Sequence, residues 1–543
     1  MATNTEPVHR VDVSADVAID AARATESERS MTLLEGVKTY PKAVGWSVLL
    51  STAIIMEGFD LVLISSLFGL PAFQKKFGSP AADGTYQVTA SWQTGLSNGA
   101  LIGEITGLFF AGMAVERFGY RKTMIGALIM VACFIFIVFF AQNITMLLVG
   151  EILCGIPWGV FQTVTTAYAA EVCPTALRAY LTTYVNLCWV FGQFLSSGVL
   201  KSVSHRSDPF AYKLPFALQW IWPVPLILGL AFAPESPWFL IRRGRKEEAK
   251  VQLLRLTSRN QPNFDADETI AMMHYTTEFE KAQQAGASYA DCFKGVNLRR
   301  TEIVCATWIV QYLCGTTFMG YSTYFYEQAG LNVSNAFSLS LGQYALGALG
   351  TISSWFLMTR FGRRSLYIYG QIIMMCLLLI IGFTALAPKS NTGAQWAIGS
   401  MLLIFTFTYD ATVGPVCYSL VAEMSSTRLR NKSIVLARNL YNVSGIVVNI
   451  LTPRMLNPTA WNWGAKSGFF WAGLTLICLV WTYFRLPEPK GRTYAELDML
   501  FEQRVSARKF ASTVVDPFAA STGLADDRMP EKGAKIHVEV TNG

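Results

Sequence analysis

Ionisable side chains lie inside long apolar stretches of this chain, where each costs roughly 2.5–3.5 kcal/mol to insert into a membrane. Glu57 and Asp60 are spaced i, i+3 and therefore share one side of a helix. The others are Glu104, Glu151, Asp410 and Arg438. All histidines lie outside the apolar stretches. Carboxyl groups are thus the side chains that could move a proton through the apolar part of this protein.

Neutral polar and aromatic side chains recur in the same kind of stretch. They are Asn186, Gln193, Gln311, Tyr321, Tyr324, Tyr418, Asn439 and Asn442. Hydrogen-bonding groups beside aromatic faces suit a hydroxyl-rich ligand. A lone amide in a span can instead form an interhelical hydrogen bond worth about 0.6 kcal/mol. The weaker candidates, for which packing is an equal alternative, are Trp92, Gln93, Gln219 and Trp220.

The composition identifies the elements that must hold these side chains. The chain has 543 residues, of which 52% are hydrophobic and only 15% are charged, whereas a soluble domain usually carries about 25% charged residues. These values exclude disordered, collagen-like and disulfide-scaffold classes. The net charge of +7 is not concentrated on one amphipathic stretch, so no nucleic-acid partner is expected. We therefore expect a multi-pass protein whose partner is the lipid bilayer.

Apolar runs predict twelve transmembrane helices in an all-α fold of two six-helix halves. The first six spans are 44–68, 92–115, 123–141, 145–169, 179–201 and 215–233. The second six are 302–325, 337–359, 365–386, 395–421, 431–452 and 467–485. The predicted domains are an N-terminal tail (1–43), a first half (44–233), a central loop with short helices (234–301), a second half (302–485) and a C-terminal tail (486–543).

Basic residues predict the orientation of the chain. Short loops on the two sides carry similar numbers of Lys and Arg, but the central loop adds many more to one side. By the positive-inside rule, the central loop and both termini are expected to be cytoplasmic.

Three motifs each occur twice, at corresponding places in the two halves. Arg117-Phe-Gly corresponds to Arg360-Phe-Gly, and Ala170-Glu to Ala422-Glu. Pro234-Glu-Ser-Pro follows span six, as Pro487-Glu-Pro follows span twelve. Repetition at matched positions predicts two parallel repeats of six helices.

At these motifs, over about residues 40–505, the sequence resembles the sugar porters of the major facilitator superfamily. Pro234-Glu-Ser-Pro-Trp-Phe-Leu resembles the PESPRWL box of that family, and Pro487-Glu-Pro-Lys-Gly-Arg-Thr resembles its PETKG box. The strings 91–99, 155–162 and 409–418 are similar to those of the fungal maltose and α-glucoside permeases. The resemblance implies a proton symporter.

That resemblance implies uptake of an α-glucoside such as maltose, together with a proton, by alternating access at a fungal plasma membrane. We expect a monomer, and because the sequence shows no catalytic constellation, we expect neither an enzyme nor a cofactor. The sequence shows no nucleotide-binding P-loop and no metal-ligand cluster. The alternatives are a carrier of another sugar (a hexose, sucrose or a β-linked disaccharide), working as a symporter or a facilitator, or a transporter-like sugar sensor.

The resemblance also assigns roles to particular residues. Gly58-Phe-Asp60 matches the motif whose Asp is tied to proton coupling, and the α-glucoside subgroup extends this role to Glu57 and Glu104, with Arg438 as their cation. A static salt-bridge lattice is the alternative. Most sugar porters have Gly-Arg where this chain has Gly150-Glu151, so the roles of Glu151 and Asp410 stay open.

Sugar-contacting positions of the family correspond to Asn186, Gln193 and Gln311. The position after Gln311 is Tyr312, where the family has a second Gln, and Tyr418 stands where hexose porters commonly have Trp.

Charged residues of the repeated loop motifs are expected to gate the transporter, through pairs that form in one state and break when the halves rock. They are Glu116, Arg117, Arg121, Glu171, Arg178, Glu235, Arg363, Arg364, Glu423 and Arg430. The arginines could instead act only as topology determinants.

Overall fold

The computed structural model describes residues 15–80, 86–258, 264–284, 288–388, 390–426, 429–490, 492 and 494–513. The outer parts of both predicted tails, 1–14 and 514–543, lie outside the described residues, as does the side chain of Arg430.

Long helices dominate the described part of the chain, and ten of them are long and apolar enough to cross a membrane. They are span 1 (Pro41–Leu67), span 2 (Ala90–Phe118), span 3 (Tyr120–Phe139), span 4 (Ile144–Val172), span 6 (Phe210–Ala231), span 7 (Gly295–Gly320), span 9 (Arg363–Thr384), span 10 (Thr392–Met424), span 11 (Lys432–Leu456) and span 12 (Gly464–Arg485). The helix of span 11 itself begins at Arg430.

Two further helices occupy the remaining predicted spans. They are span 5 (Thr175–Val203) and span 8 (Val333–Arg360). Both carry buried polar side chains, such as Gln193 in span 5 and Gln343 in span 8. These polar groups lower the hydropathy of the two helices. The groups are nevertheless buried, because spans 5 and 8 pack on each other. Together the twelve helices form two six-helix halves.

Several spans are interrupted where the sequence disfavours a regular helix. Span 1 breaks between Pro41–Ser51 and Ile54–Leu67. Span 6 passes through a 3-10 turn just before Pro223. Span 7 contains a π-helical segment, Tyr312–Thr316, in which Gly315 has φ of +89°, a conformation that glycine adopts readily. Such π segments often mark functional positions in helices.

Glycines allow spans 2 and 4 to approach closely. A Cβ atom at Gly103 would lie 2.0 Å from the carbonyl oxygen of Ile152, and one at Gly155 would lie 2.2 Å from that of Ala100. No side chain larger than hydrogen fits at either position. This close contact sets the distance between Glu104 on span 2 and the polar residues of span 4.

Short helices cover one end of the bundle, here called the central-segment face. They are Ala15–Ser30, Leu33–Thr39, Pro237–Arg242, Lys246–Leu256, Ala266–Gln284, a 3-10 turn at Tyr289–Phe293, Tyr494–Glu502 and a 3-10 turn at Ala507–Lys509. The N-terminal helix Ala15–Ser30 packs along Ala266–Gln284, and Arg23 lies 3.7 Å from Glu268.

The other end of the bundle, here called the opposite face, has shorter connections. It carries the helix Pro71–Phe77 and a two-residue antiparallel ladder that pairs Ser79–Pro80 with Tyr86–Gln87. The sequence did not predict this small ladder, since two residues are too few to show alternation.

Candidate functional site

Arg438 on span 11 lies at the centre of a charged cluster between the two halves. Its Nη2 atom is 3.6 Å from Glu104 Oε1 on span 2. Its guanidinium carbon lies 4.9 Å from the ring centre of Trp308 and 4.7 Å from that of Tyr441. The cation is therefore held between an anion of the first half and two aromatic rings of the second half.

Gln162 on span 4 extends this cluster to span 1. Its Oε1 atom accepts a hydrogen bond from Arg438 Nη2, and its Nε2 atom donates to Glu57 Oε1 at 2.5 Å. The amide uses its acceptor on the cation and its donor on the carboxylate, as its polarity requires. Glu57, Gln162, Arg438 and Glu104 thus form one connected network across spans 1, 4, 11 and 2.

Asp60 belongs to a different cluster, although it lies one helical turn from Glu57. Its Oδ1 atom accepts a hydrogen bond from Gln219 Nε2 of span 6, and Glu151 of span 4 lies close to its carboxyl group. Asp60 and Glu151 are both buried. Asp60 Oδ2 and both carboxyl oxygens of Glu151 have no hydrogen-bond partner among the described residues. The predicted set of three carboxylates is therefore divided between two sites.

Gln311, a predicted sugar ligand, is held against span 10. Its Oε1 atom accepts a hydrogen bond from Tyr409 Oη at 2.8 Å, and its Nε2 atom donates to the carbonyl oxygen of Gly414 at 3.4 Å. The π-helical segment of span 7 begins at the next residue, Tyr312. These contacts fix the orientation of the amide at the irregular part of the helix.

Tyr321 and Tyr324 lie in contacts that close the opposite face between the halves. Tyr321 Oη donates to Ser97 Oγ at 2.7 Å, and buried Tyr324 lies beside Gln93. Ser66 Oγ lies 3.1 Å from Thr323 Oγ1 in the same region. In this state the two tyrosines join span 2 to the segment that directly follows span 7, which contains the helix Ser322–Gln328.

The other predicted sugar residues are spread over spans 5, 10 and 11. Asn442 is fully buried beside Glu104, and the Tyr418 ring lies edge-on to Trp308 with centres 5.0 Å apart. Gln193 is buried. Asn186 and Asn439 are half-buried. The structure thus brings Tyr418 and Asn442 to the Arg438 cluster.

Three residues of this cluster have no role in the sequence analysis: Gln162, Trp308 and Tyr441. Helical spacing could have indicated two of them. Trp308 precedes Gln311 by three residues, and Tyr441 follows Arg438 by three, so each pair shares a helix side. Gln162 was used only as part of a family string, and the weak candidate Gln219 proves to be a partner of Asp60.

Charged loop residues at the central-segment face pair within each half. In the first half, Glu171 accepts from Tyr120 Oη at 2.7 Å and lies 2.6 Å from Arg242. In the second half, Arg363 lies 3.3 Å from Glu423.

The repeated Pro-Glu motifs hold the starts of spans 3 and 9 in the same way. Glu235 accepts hydrogen bonds from the backbone nitrogens of Tyr120 and Arg121, at 2.9 and 3.3 Å. Glu488 accepts from those of Arg363 and Arg364, at 2.8 and 3.1 Å. Each carboxylate satisfies unpaired N–H groups at a helix N-terminus. Burial raises the pKa of Glu235 despite these donors.

The remaining predicted gate residues are more peripheral. Glu116 and Arg117 are exposed, and Arg178 is half-buried. Arg121 donates to the carbonyl oxygen of Ala233, and Arg364 to that of Tyr483.

The twelve-helix bundle with a charged cluster between its halves is the architecture of a secondary transporter. The sequence profile of the family described as "Sugar (and other) transporter" matches residues 46–501. This protein belongs to that family, and it is a multi-pass membrane transporter rather than an enzyme.

Within this family, the chain is similar to α-glucoside and maltose permeases of yeast. A general alpha-glucoside permease of Saccharomyces cerevisiae is 46% identical over 525 residues, which cover 95% of this chain and 85% of that protein. The maltose permease MAL61 of the same yeast is 46% identical over 512 residues, covering 93% and 83%. The resemblance to this subgroup, drawn from the sequence motifs, is confirmed.

Solved structures show the same fold. The xylose transporter XylE from E. coli in an inward-open conformation gives a TM-score of 0.66 at 19% identity, covering 84% of this chain and 99% of that one. The proton:xylose symporter XylE bound to 6-bromo-6-deoxy-D-glucose gives 0.68 at 20% identity, covering 85% and 99%. The predicted all-α major facilitator fold is confirmed.

Proposed function

We propose that this protein carries an α-glucoside of the maltose type into the cell together with a proton, by alternating access. The substrate follows from the names of the relatives, which are 46% identical over most of the chain. The observation that carries the coupling is the network of Glu57, Gln162, Arg438 and Glu104, because it joins the two halves through groups that can change charge.

The network supplies a physical link between proton binding and rocking of the halves. While Glu104 is ionised, its attraction to Arg438 holds span 2 against span 11. A proton on Glu104 removes that attraction, and a proton on Glu57 changes the hydrogen bond with Gln162. Each proton therefore alters the free energy of one state of the transporter relative to the other.

Asp60 and Glu151 form the second proton-binding site in this proposal. Their carboxyl groups are buried close to each other, and Gln219 donates to Asp60 from span 6. One proton shared between two carboxyl groups leaves a single negative charge, which one amide donor helps to satisfy. The role of Asp410, which lies against the Gly347 backbone of span 8, is not part of the proposed coupling.

The sugar is proposed to bind between the halves, near the Arg438 cluster. Amides and tyrosines of spans 5, 7, 10 and 11 supply its hydrogen bonds, and the aromatic rings of Trp308 and Tyr418 can cover its apolar side. The proposed ligands are Asn186, Gln193, Gln311, Tyr418, Asn439 and Asn442. Tyr321 and Tyr324 would complete the site from the opposite face when the bundle is closed there.

The remaining parts of the proposal concern placement and gating. The protein is a monomer in the plasma membrane, with both tails and the central loop in the cytoplasm. The five segments predicted from the sequence are its domains. The charged loops at the central-segment face, including Glu171, Arg363 and Glu423, form the cytoplasmic gate through pairs that break as the halves rock.

Uptake into proteoliposomes tests the proposal. Labelled maltose should accumulate above its outside concentration when an inward proton gradient is applied, and should only equilibrate without it. Unlabelled maltose should compete better than glucose. Stronger competition by glucose, with no maltose accumulation, would show a hexose carrier, and accumulation that ignores the proton gradient would refute symport.

A further inference from the structure

A basic cavity lies at the central-segment face, beside the end of span 2. Its volume is about 300 Å³. The lining residues are Arg117, Phe118, Lys122, Phe239, Arg243 and Arg245. Three elements meet there: the end of span 2, the start of span 3 and the helix Pro237–Arg242 with the residues that follow it.

The positive charge of this cavity is only partly neutralised. Arg245 is paired with Glu248. Arg117, Lys122 and Arg243 form no ion pair with any residue of the described part of the chain. Arg243 donates hydrogen bonds to the backbone carbonyl oxygens of Glu116 and Arg117.

The nearby carboxylates do not fill the cavity. Glu235 is turned toward the start of span 3, where it accepts hydrogen bonds from the backbone of Tyr120 and Arg121. Glu116 is exposed at the end of span 2. Cations without carboxylate partners around a concave site favour an anion that accepts several hydrogen bonds at once. Phosphate is such an anion, because a guanidinium group can donate two parallel hydrogen bonds to its oxygens.

An apolar stripe on span 2 leads to the same cavity. Phe109, Phe110 and Met113 are each more than half exposed, at 63%, 57% and 58%. Phe109, Met113 and the cavity residue Arg117 follow one another at i, i+4 spacing and lie on one side of the helix. On a membrane span these apolar side chains face acyl chains. A molecule with a phosphate in the cavity and hydrocarbon along the stripe would contact both surfaces.

We propose that this cavity binds the phosphate head group of an anionic phospholipid whose acyl chains lie along span 2. Basic pockets at the ends of transmembrane helices suit this class of ligand. A free phosphate ion shares the chemistry of the head group, but it has no hydrocarbon chain that could contact the apolar stripe. The site is separate from the proposed sugar and proton sites.

Lipid retention tests the proposal in the full-length protein, reconstituted in nanodiscs that contain phosphatidylcholine and phosphatidic acid. The wild-type protein is released from the nanodiscs under mild conditions and analysed by native mass spectrometry. It should retain phosphatidic acid in preference to phosphatidylcholine. The variant Lys122→Gln, Arg243→Gln, Arg245→Gln should lose this preference by roughly tenfold or more.

The matched control removes three positive charges from the opposite face, by Lys75→Gln, Lys76→Gln and Arg206→Gln. These residues lie outside the cavity, so the control should retain phosphatidic acid as the wild type does. Equal loss in the control would show a general effect of net charge and overturn the proposal.

Two further measurements keep the test decisive. Arg243→Lys keeps the positive charge but loses the two-pronged guanidinium group. It should therefore weaken retention of phosphatidic acid less than Arg243→Gln does. This pair of single variants also tests the cavity if the triple variant fails to fold. Excess inorganic phosphate should not displace the lipid. Displacement by phosphate alone, or equal retention of phosphatidylcholine by the wild type, would refute a phospholipid site.

Discussion

Arg438 Nη2 and Glu104 Oε1 lie 3.6 Å apart and connect the second half of the bundle to the first. The Glu104 side chain is 3% exposed and that of Arg438 is 19% exposed, so this pair is less screened by solvent than the exposed pair Arg245–Glu248. Removal of one partner would leave a buried charge without compensation. A proton on Glu104 achieves the same change reversibly, which makes this contact suited to coupling.

Replacement of Gln162 tests the relay between Glu57 and Arg438. Gln162→Leu removes the amide that bonds to both. A buried group left without its hydrogen bond costs roughly 1–3 kcal/mol. We expect proton-driven accumulation of sugar to fall about 5- to 100-fold, measured as uptake under an inward proton gradient. Gln142→Leu, at an exposed amide on the opposite face, is the control. Wild-type accumulation by Gln162→Leu would rule out the relay.

Replacement of Glu151 tests the shared proton. Glu151→Gln can donate a hydrogen bond to Asp60, as a protonated Glu151 would, but it cannot release a proton. The variant should exchange sugar between the two sides of a vesicle at a near-normal rate, and should fail to concentrate it. Counterflow and gradient-driven uptake separate these activities.

A second variant locates the coupling more closely. Glu57→Gln, Asp60→Asn, Glu104→Gln mimics protonation of both carboxyl groups of the Arg438 network and of Asp60 in the second cluster, and it too should exchange without concentrating. If Glu151→Gln and Asp60→Asn each concentrate sugar normally while Glu57→Gln, Glu104→Gln does not, the proton is carried by the Arg438 network alone.

Gln311 and Tyr409 allow a ligand contact to be separated from a packing contact. Gln311→Ala should weaken sugar binding by about 1–3 kcal/mol if the amide bonds to a sugar hydroxyl. Tyr409→Phe removes only the hydrogen bond that orients the amide, so its effect should be smaller. Binding is measured by tryptophan fluorescence or scintillation proximity. An equal loss in both variants, with lower melting temperatures, would show that Gln311 has a structural role.

The pH dependence of stability tests the position of Glu235. Burial raises the pKa of this carboxyl in the folded state. Its contribution to stability is therefore full below the unfolded pKa, about 4.3, and is lost as the pH rises through the folded value. Glu235→Gln does not titrate.

The melting temperature of the wild type, measured in detergent, should therefore fall relative to Glu235→Gln as the pH rises from about 4 to 7. A difference between the two proteins that does not change with pH would show that this carboxyl is not buried as the structure shows it.

Apolar runs and repeated motifs were sufficient to predict the helices, because a membrane span must bury about 20 residues and satisfy its own backbone. Prediction succeeded even for spans 5 and 8, whose polar residues make them the least apolar of the twelve. The breaks in spans 6 and 7 were not predicted, since a 3-10 or π-helical turn depends on the packing of neighbouring helices as much as on Pro223 or Gly315.

The ionisable side chains of the site are visible in the sequence, because each costs free energy in an apolar helix and is retained despite that cost. Which of them interact was decided only by the tertiary structure. Glu57 and Asp60 are three residues apart, so their side chains leave the helix about 60° apart. That rotation is enough for Glu57 to meet Gln162 of span 4 and for Asp60 to meet Gln219 of span 6 and Glu151. Periodicity along one helix identifies its polar side, whereas the partners depend on how twelve helices are rotated and packed around it.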